Sequence, residues 1–359
     1  MADAKYWLGF HLTKGIGPAR VERLLAHFGD LGAAWAAQPG ELARAGLGEA
    51  LRESLAATRR AYDLDRELDR LGRAGVTLLT WEDAAYPARL RQIAGAPPVL
   101  YVKGALMPED DLALGVVGTR RATSYGREVT ARLAGELAAA GLTIASGLAR
   151  GVDACAHEAA LQAGGRTVAF LGCGVDVVYP ADHRRLAERV AAQGALISEY
   201  HLGTPPDAPN FPARNRLISG FALGVLVTEA PAKSGALITA DFAAEQGRDV
   251  FAVPGGILGH SSAGCNALIR DGAKLVTCAE DILVELHLQR RSAQAETRRA
   301  LPENDDERAM LRLLGDGPAH INDLGHASGL PAAQVGSLLL LMELKGLVRQ
   351  VAAGQYVRA

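Results

Sequence analysis

Four stretches of the chain carry residue types that could grip an anion. In GTRRATSYG, Gly118 to Gly126, an apolar run gives way to a turn and then to a helical pattern, the place where α/β proteins hold phosphates. The turn lacks the GxGxxG spacing of a dinucleotide site, because Thr119, Arg120 and Arg121 stand where small residues would be needed. Three arginines against one glutamate between Gly115 and Glu128 give it a local positive charge, with Arg120 as the projecting cation beside backbone amides and a helix dipole. An arginine in such a turn could equally pair with a carboxylate elsewhere in a sheet.

The second stretch is SGLARGVDACAHEAAL, Ser146 to Leu161. Ser146, Gly147 and Gly151 permit close backbone approach, and Asp153 is expected to cap the helix that follows, again an arrangement suited to phosphate. Asp153 and His157 fall on one helical face. No nucleophile or metal-ligand set accompanies them, so they read as a cap and a locally bonded histidine rather than as an acid–base pair. The third stretch, PNFPARNRLISG, sets Phe211 among Arg214, Asn215 and Arg216 ahead of a helix, the stacking-plus-cation recipe for a single nucleic-acid strand. The fourth, EAPAKSGALITADFAAEQG, places Lys233, Ser234 and Gly235 before a helix expected to begin near Ala236. Its spacing is not the GxxxxGK[ST] of a Walker A loop, which removes the case for ATP hydrolysis through it. No catalytic residue, metal site or cofactor is expected.

The elements that must position these stretches alternate regularly from Val76 to about Leu288. Short aliphatic runs, LALGVV, LTIAS, RTVAFL, ALIS, LGVLVTEA and DVFAVP, are each followed by a helical stretch, the signature of βαβ units and a buried parallel sheet. Val129, Leu133 and Leu137 recur at four-residue spacing on a helix face suited to such a sheet. Gly118, Gly147, Gly151, Gly172, Gly174, Gly235, Gly255 and Gly256 lie just after the strands, so their turns are expected to share the C-terminal face where open α/β sheets bind ligands.

Both flanks differ from this centre. Residues 1–75 read as short helices in which Val21, Leu24, Leu25 and Phe28 make one apolar face. The GIGPA turn there resembles the hairpin of a helix-hairpin-helix or SAM-like domain, whose amides can meet DNA phosphates; a plain helical module with a glycine turn reads the same way. Residues 289–306 balance four arginines against Glu296, Glu303, Asp305 and Asp306 with one large aliphatic residue, a solvated linker. Residues 307–359 show three helical patterns and two strand patterns separated by Gly354, a winged helix. Its third helix, Pro331 to Lys345, offers LLLLM, Glu343 and the single cation Lys345, which favours a protein-contact or packing role over reading of a major groove.

Over the whole 359-residue chain the formal net charge is −2, so any anionic ligand must be met locally rather than by a positively charged surface. Cys155, Cys173, Cys265 and Cys278 are scattered without a CxxC pair, which points away from a disulfide framework or zinc site and toward a reducing, cytoplasmic setting. The stretch MADAKYWLGF shows no basic segment followed by an apolar one, and LLLLM is far short of a membrane span, so neither secretion nor membrane insertion is expected.

Taken in order, GTRRATSYG, SGLARGVDACAH, FLGCGVDVVYP, ISEY, NFPARNRLISG, EAPAKSGALITA, FAVPGG and NALIRDGA resemble the DNA-processing protein A family, DprA or Smf, over the whole central domain. The resemblance implies an α/β fold: a Rossmann-like, mostly parallel sheet flanked by helices over residues 76–288, between the helical SAM-like domain of 1–75 and the winged helix. It implies a non-enzymatic protein that binds single-stranded DNA entering during natural transformation, protects it and loads the RecA recombinase, working as a homodimer built through the Rossmann-like domain. The family's DNA-contacting arginine falls on Arg120, in a turn with Gly118 and Thr119; its FPxRN motif falls on Phe211, Arg214 and Asn215; and its KSG turn falls on Lys233, Ser234 and Gly235. Ser146, Gly147, Arg150 and Gly151 of the SGLARG turn complete the expected DNA-binding set. Where some relatives carry a lysine before FP, this chain has Asp207 and Ala208, which moves that basic contact to Arg184 or Arg185 or removes it. A competing likeness is to lysine-decarboxylase-like phosphoribohydrolases, whose PGG turn resembles Val253 to Gly256. Here ILGHSSAG follows, without their threonine and catalytic glutamate.

Overall fold

The computed structural model describes residues 4–288, 305–314, 317, 319–344, 347–352 and 354–358. They form two compact units, Met1–Ile282 and Leu283–Ala359.

The first unit opens with six short helices, α1 (Ala4–Leu12), α2 (Pro18–Phe28), α3 (Leu31–Ala36), α4 (Pro39–Arg44), α5 (Glu49–Ala61) and α6 (Leu64–Arg73). Local signals set their ends. Pro18 starts α2, where a missing N–H costs nothing, Gly29 ends it at φ +84°, and the Asp30 side chain caps α3 by accepting from the Ala33 amide. Trp7, Phe10, Val21, Leu24, Leu31, Leu42 and Leu55 are buried in one cluster, and Leu25 and Phe28 pack partly buried at its edge, so the apolar face read from the sequence is the packing face.

The rest of the unit runs β1 (Val76–Thr80), α7 (Ala88–Arg91), β2 (Val99–Gly104), β3 (Ala113–Val117), α8 (Ser124–Ala139), β4 (Thr143–Ser146), α9 (Val152–Gln162), β5 (Thr167–Leu171), α10 (Arg184–Gln193), β6 (Ala195–Ser198), α11 (Asn210–Phe221), β7 (Gly224–Val227), α12 (Gly235–Glu245), β8 (Asp249–Ala252), α13 (Ala263–Arg270), β9 (Lys274–Leu275) and α14 (Ala279–Glu285), the last crossing the unit boundary. All nine strands join one sheet in the order β1-β2-β6-β5-β4-β3-β7-β8-β9. The seven from β6 to β9 pair in parallel, and β1 and β2 add an antiparallel edge. This is the mostly parallel sheet expected, and the aliphatic runs are strands because both faces are covered. Phe170 packs with Leu217 and Phe221 of α11 on one side, while its neighbours Ala169 and Leu171 pack with Leu186 and Val190 of α10 on the other.

From β3 the chain winds outward through β4 and β5 to β6, then returns to place β7 on the opposite side of β3. The β3/β7 pair is therefore the topological switch point, where the loops leaving adjacent strands diverge to opposite faces and open a crevice at the strand C-termini.

The second unit contains α15 (Asp305–Leu314), β10 (Ala319–His320), α16 (Ile321–Ser328), α17 (Ala332–Leu344), β11 (Val348–Ala352) and β12 (Gln355–Arg358). Its antiparallel sheet has the order β10-β12-β11, and Gly354 at φ +71° turns the last hairpin, giving the winged-helix arrangement. Met310, Leu324, Val335, Leu339, Met342 and Tyr356 fill its core, leaving Leu340 and Leu341 of α17 exposed. Lys345 and residues 289–304 of the expected linker lie outside the described residues. Among the described residues no helix is long and apolar enough to cross a membrane.

Candidate functional site

A cleft of about 450 Å³ opens at the switch point, between the loop after β3, the first turns of α11 and the loop after β7. The GTR turn forms its first wall, and two glycines let it fold there. A Cβ on Gly118 would stand 2.5 Å from Val152 Cγ2, and one on Gly126 would stand 2.1 Å from Glu229 Oε2. Three of the turn amides are engaged inside the protein. The Thr119 N–H donates to Glu229 O at 2.7 Å, the Arg121 N–H to Thr119 Oγ1 at 3.2 Å, and the Thr123 N–H and hydroxyl to the Glu229 carboxylate at 2.8 and 2.6 Å. Thr123 in turn caps α8 by accepting from Gly126 N–H at 3.0 Å. The buried Glu229 carboxylate thus takes the anion position at the α8 N-terminus. The amides of Thr119, Arg121 and Thr123 are thereby removed from the expected cradle, and the turn presents the side chains of Arg120 and Arg121 to solvent.

Arg120 is exposed, with its guanidinium 5.5 Å from the centroid of the Phe211 ring. That ring lies 5.4 Å from the Tyr179 ring at a tilt of 41°. Arg120, Phe211 and Tyr179 therefore form a half-exposed platform with a cation at one end. Lys233 stands exposed on the same cleft and, like Arg120 and Arg121, makes no ion pair among the described residues. Ser234 caps α12 through the Ala236 amide at 3.3 Å, so that helix begins at Gly235. Asn215 ties α11 to this turn by donating to Gly235 O at 3.3 Å.

Other residues of the expected set lie beneath or beside the cleft. Arg214 is 3% exposed; it donates to Gly147 O at 2.9 Å and to Phe170 O, carbonyls at the ends of two strands that a five-donor guanidinium can gather. Burial lowers its pKa, and Asp153 nearby opposes that shift. Burial raises the Asp153 pKa above the usual carboxylate range, with Arg214 opposing it. Asp153 is not the helix cap expected. Gly151, at φ +80°, occupies the N-cap of α9, and Asp153 accepts instead from the Ala149 amide at 3.3 Å. A Cβ on Gly147 would meet Arg214 Nη2 at 2.5 Å and Asp153 Oδ2 at 2.7 Å; one on Gly151 would meet Thr119 O at 2.2 Å. The SGLARG turn consequently buttresses the GTR turn, and its Ala149 reaches the cleft lining. Ser146 is fully buried, its hydroxyl donating to Val116 O at 2.6 Å.

Arg150 pairs with the exposed Asp182 at 2.6 Å outside the cleft lining. Arg184 and Arg185 open α10, and Arg184 borders a separate small cavity with Lys103, Asp176 and Glu188. Arg216 turns away from Phe211 to pair with Glu199 at 2.5 Å. His157 is buried, with Nδ1 bonded to the Thr167 hydroxyl at 2.6 Å. Burial, reinforced by Arg214, lowers its pKa to about 3 and keeps the ring neutral. Sequence reasoning missed Glu229 and Tyr179. The signals were a carboxylate at the end of an apolar strand and an aromatic in FLGCGVDVVYP.

Residues 77–287 match the model of the DNA recombination-mediator protein A family, and residues 294–354 match the DprA winged helix domain. The chain belongs to that family. It is 34% identical to protein Smf of Synechocystis over 99% of both chains. Among solved structures, DprA of Streptococcus pneumoniae aligns at TM-score 0.70 and 36% identity, over 78% of this chain and 97% of that one. DNA processing protein A of Helicobacter pylori, whose structure concerns that protein's single-stranded DNA binding mode, aligns at TM-score 0.53 and 31% identity, over 58% of this chain and 95% of that one. The whole switch-point cleft lies within the family match.

Proposed function

We propose that this DprA family member binds single-stranded DNA in the switch-point cleft, with Arg120 and Lys233 meeting phosphates and the Phe211 platform stacking a base. The observation that carries the reading is the placement of Arg120 over Phe211, exposed and unpaired beside Lys233. Cations and an aromatic face bind any strand, because every phosphate is charged and every base has a π-face. Gly118, Thr119, Asn215, Ser234 and Gly235 shape the walls of this site, and Ser146, Gly147, Gly151 and Arg214 hold those walls from below. The single-stranded DNA binding described for the Helicobacter pylori relative supports the same assignment.

Family membership supports a larger role. The protein shields incoming DNA during transformation, hands it to the RecA recombinase, acts as a homodimer through its Rossmann-like unit and works in the cytoplasm, a setting in keeping with its four free cysteines. Binding rather than chemistry suits the cleft. Its lining contains one carboxylate, Asp153, which is buried and engaged with Ala149, and the PGG loop after β8 is pinned by Asn266 bonding both the Gly255 N–H and carbonyl.

Fluorescence anisotropy with labelled oligothymidine, using duplex DNA and nucleoside monophosphates as competitors, tests this reading. Preference for the single strand, weakened by salt, is the expected result. Displacement by free nucleotides with little single-strand affinity would overturn it and direct attention to a small ligand. Transfer to RecA is read by whether the protein speeds filament assembly on coated single strands, and the dimer by its mass in sedimentation.

A further inference from the structure

A second cleft, of about 720 Å³, lies where the GIGPA hairpin faces the sheet, and nothing in the DNA-binding reading so far uses it. Its walls are Thr13 to Gly17 before α2 with Pro18 at its start, Pro97 and Pro98 before β2, and Glu199 to His201 after β6, closed on one side by Arg216. Three cations line it, Lys14, Arg20 and Arg216, against a single carboxylate, Glu199, that is already committed to Arg216. In a chain of net charge −2 this is a local positive cluster. Arg20 donates to Gly15 O at 2.8 Å, which holds the hairpin in shape, while at the start of α2 Pro18 carries no N–H and the Arg20 amide donates to Gly17 O at 3.0 Å, so the cleft's charge comes from side chains. The exposed Lys14 makes no ion pair among the described residues.

Two polar groups at or behind its wall have no hydrogen-bond partner among the described residues: Nη1 of Arg216, and the hydroxyl of the buried Tyr101, whose ring packs against His11 and His201 of the lining. Helix α11 borders both clefts. Helix α11 gives Phe211 and Asn215 to the switch-point cleft and the next residue, Arg216, to this one.

We propose that the DNA strand held at the switch point crosses the first turns of α11 and continues into this second cleft, where Lys14 takes a further phosphate. Pro18 and Tyr200, half-buried in the lining, offer apolar surface to a base, so this segment of the path also binds without reading sequence. This inference rests on the single-stranded DNA reading of the first cleft, and the experiment separates the two.

Anisotropy is measured for oligothymidines of about 6 and about 20 nucleotides, lengths bracketing short and extended sites. The proteins are wild type, Lys14→Ala, Lys14→Glu and Arg120→Ala, with thermal melts to establish that each variant folds. Lys14→Glu should leave the short oligomer unchanged and weaken the long one about tenfold, with a shallower salt dependence; Lys14→Ala should weaken the long one about threefold. Equal binding of the long oligomer by wild type and Lys14→Glu overturns the extended path. So does equal weakening of both lengths, which would place Lys14 outside a length-dependent segment. If instead Arg120→Ala leaves the short oligomer unaffected, the first cleft's assignment fails, whatever Lys14 does.

Discussion

The rim and the floor of the switch-point cleft are built from the same residue types with opposite fates. Arg120 on the rim is exposed and rests over an aromatic ring, while Arg214 on the floor is buried among backbone carbonyls and a carboxylate. Lys233 on the rim has no ion-pair partner among the described residues, whereas Glu229 below it binds Thr123 through both carboxylate oxygens. The difference teaches a division of labour. The rim supplies charge and stacking that a ligand can reach, and the floor fixes the turns that carry the rim, so a change in either weakens binding but only the floor also weakens the fold.

The largest effect should come from the floor. Arg214→Leu removes the main cation beside the buried Asp153 carboxylate and the guanidinium that bonds the Gly147 and Phe170 carbonyls, and is expected to cost about 3–5 kcal/mol of stability by urea denaturation. A variant as stable as wild type would erase the distinction between floor and rim.

Acid should reach the floor through His157. Its folded pKa, near 3, lies below the ordinary 6.5, so the unfolded chain takes up the proton first and stability falls as pH drops below 6.5. At pH 5 the loss from this group is about 2 kcal/mol relative to neutral pH. His157→Asn, which can keep a bond to the Thr167 hydroxyl but does not titrate, should lose less over the same interval. Identical losses in the two proteins would show that His157 is not the acid-sensitive element.

On the rim, Phe211→Ala should reduce single-strand affinity by about 1–3 kcal/mol, while Phe211→Trp retains most of it, since any aromatic face stacks a base. Equal affinities for wild type and Phe211→Ala would remove the platform from the account. The smallest effect is expected outside the cleft: Arg150→Ala breaks an exposed pair with Asp182 and should change stability by less than about 0.5 kcal/mol. A loss of single-strand affinity equal to that of Phe211→Ala would bring Arg150 into the binding set.

Much of this layout was legible in the chain, for reasons that particular residues make plain. The strands from β3 to β8 announced themselves because a sheet covered on both faces needs uninterrupted aliphatic runs, and Val21 and Leu24 marked a helix face because their period matches the turn of a helix. Phe211 as a stacking residue and Arg120 as a projecting cation were each visible from their types, but the sequence set Phe211 with Arg214 and Arg216, and the fold sets it with Arg120. The separation of Arg120 from Arg214 was not visible. Each follows a strand in a motif rich in arginine, and what buries Arg214 is the carbonyls of Gly147 and Phe170, distant in sequence and brought together by strand order. Glu229 was silent for the same reason, since its partner Thr123 lies 106 residues away. Asp153 was misread as a cap because the left-handed Gly151 starts the helix earlier, a backbone choice that residue spacing does not encode.

The central claim, that the rim of this cleft holds DNA phosphates, is tested most directly by the salt dependence of oligothymidine binding in wild type and Arg120→Ala. The account predicts that the variant folds normally, binds about tenfold more weakly and has a slope of log affinity against log salt shallower by about one unit. Unchanged affinity and an unchanged slope would contradict it.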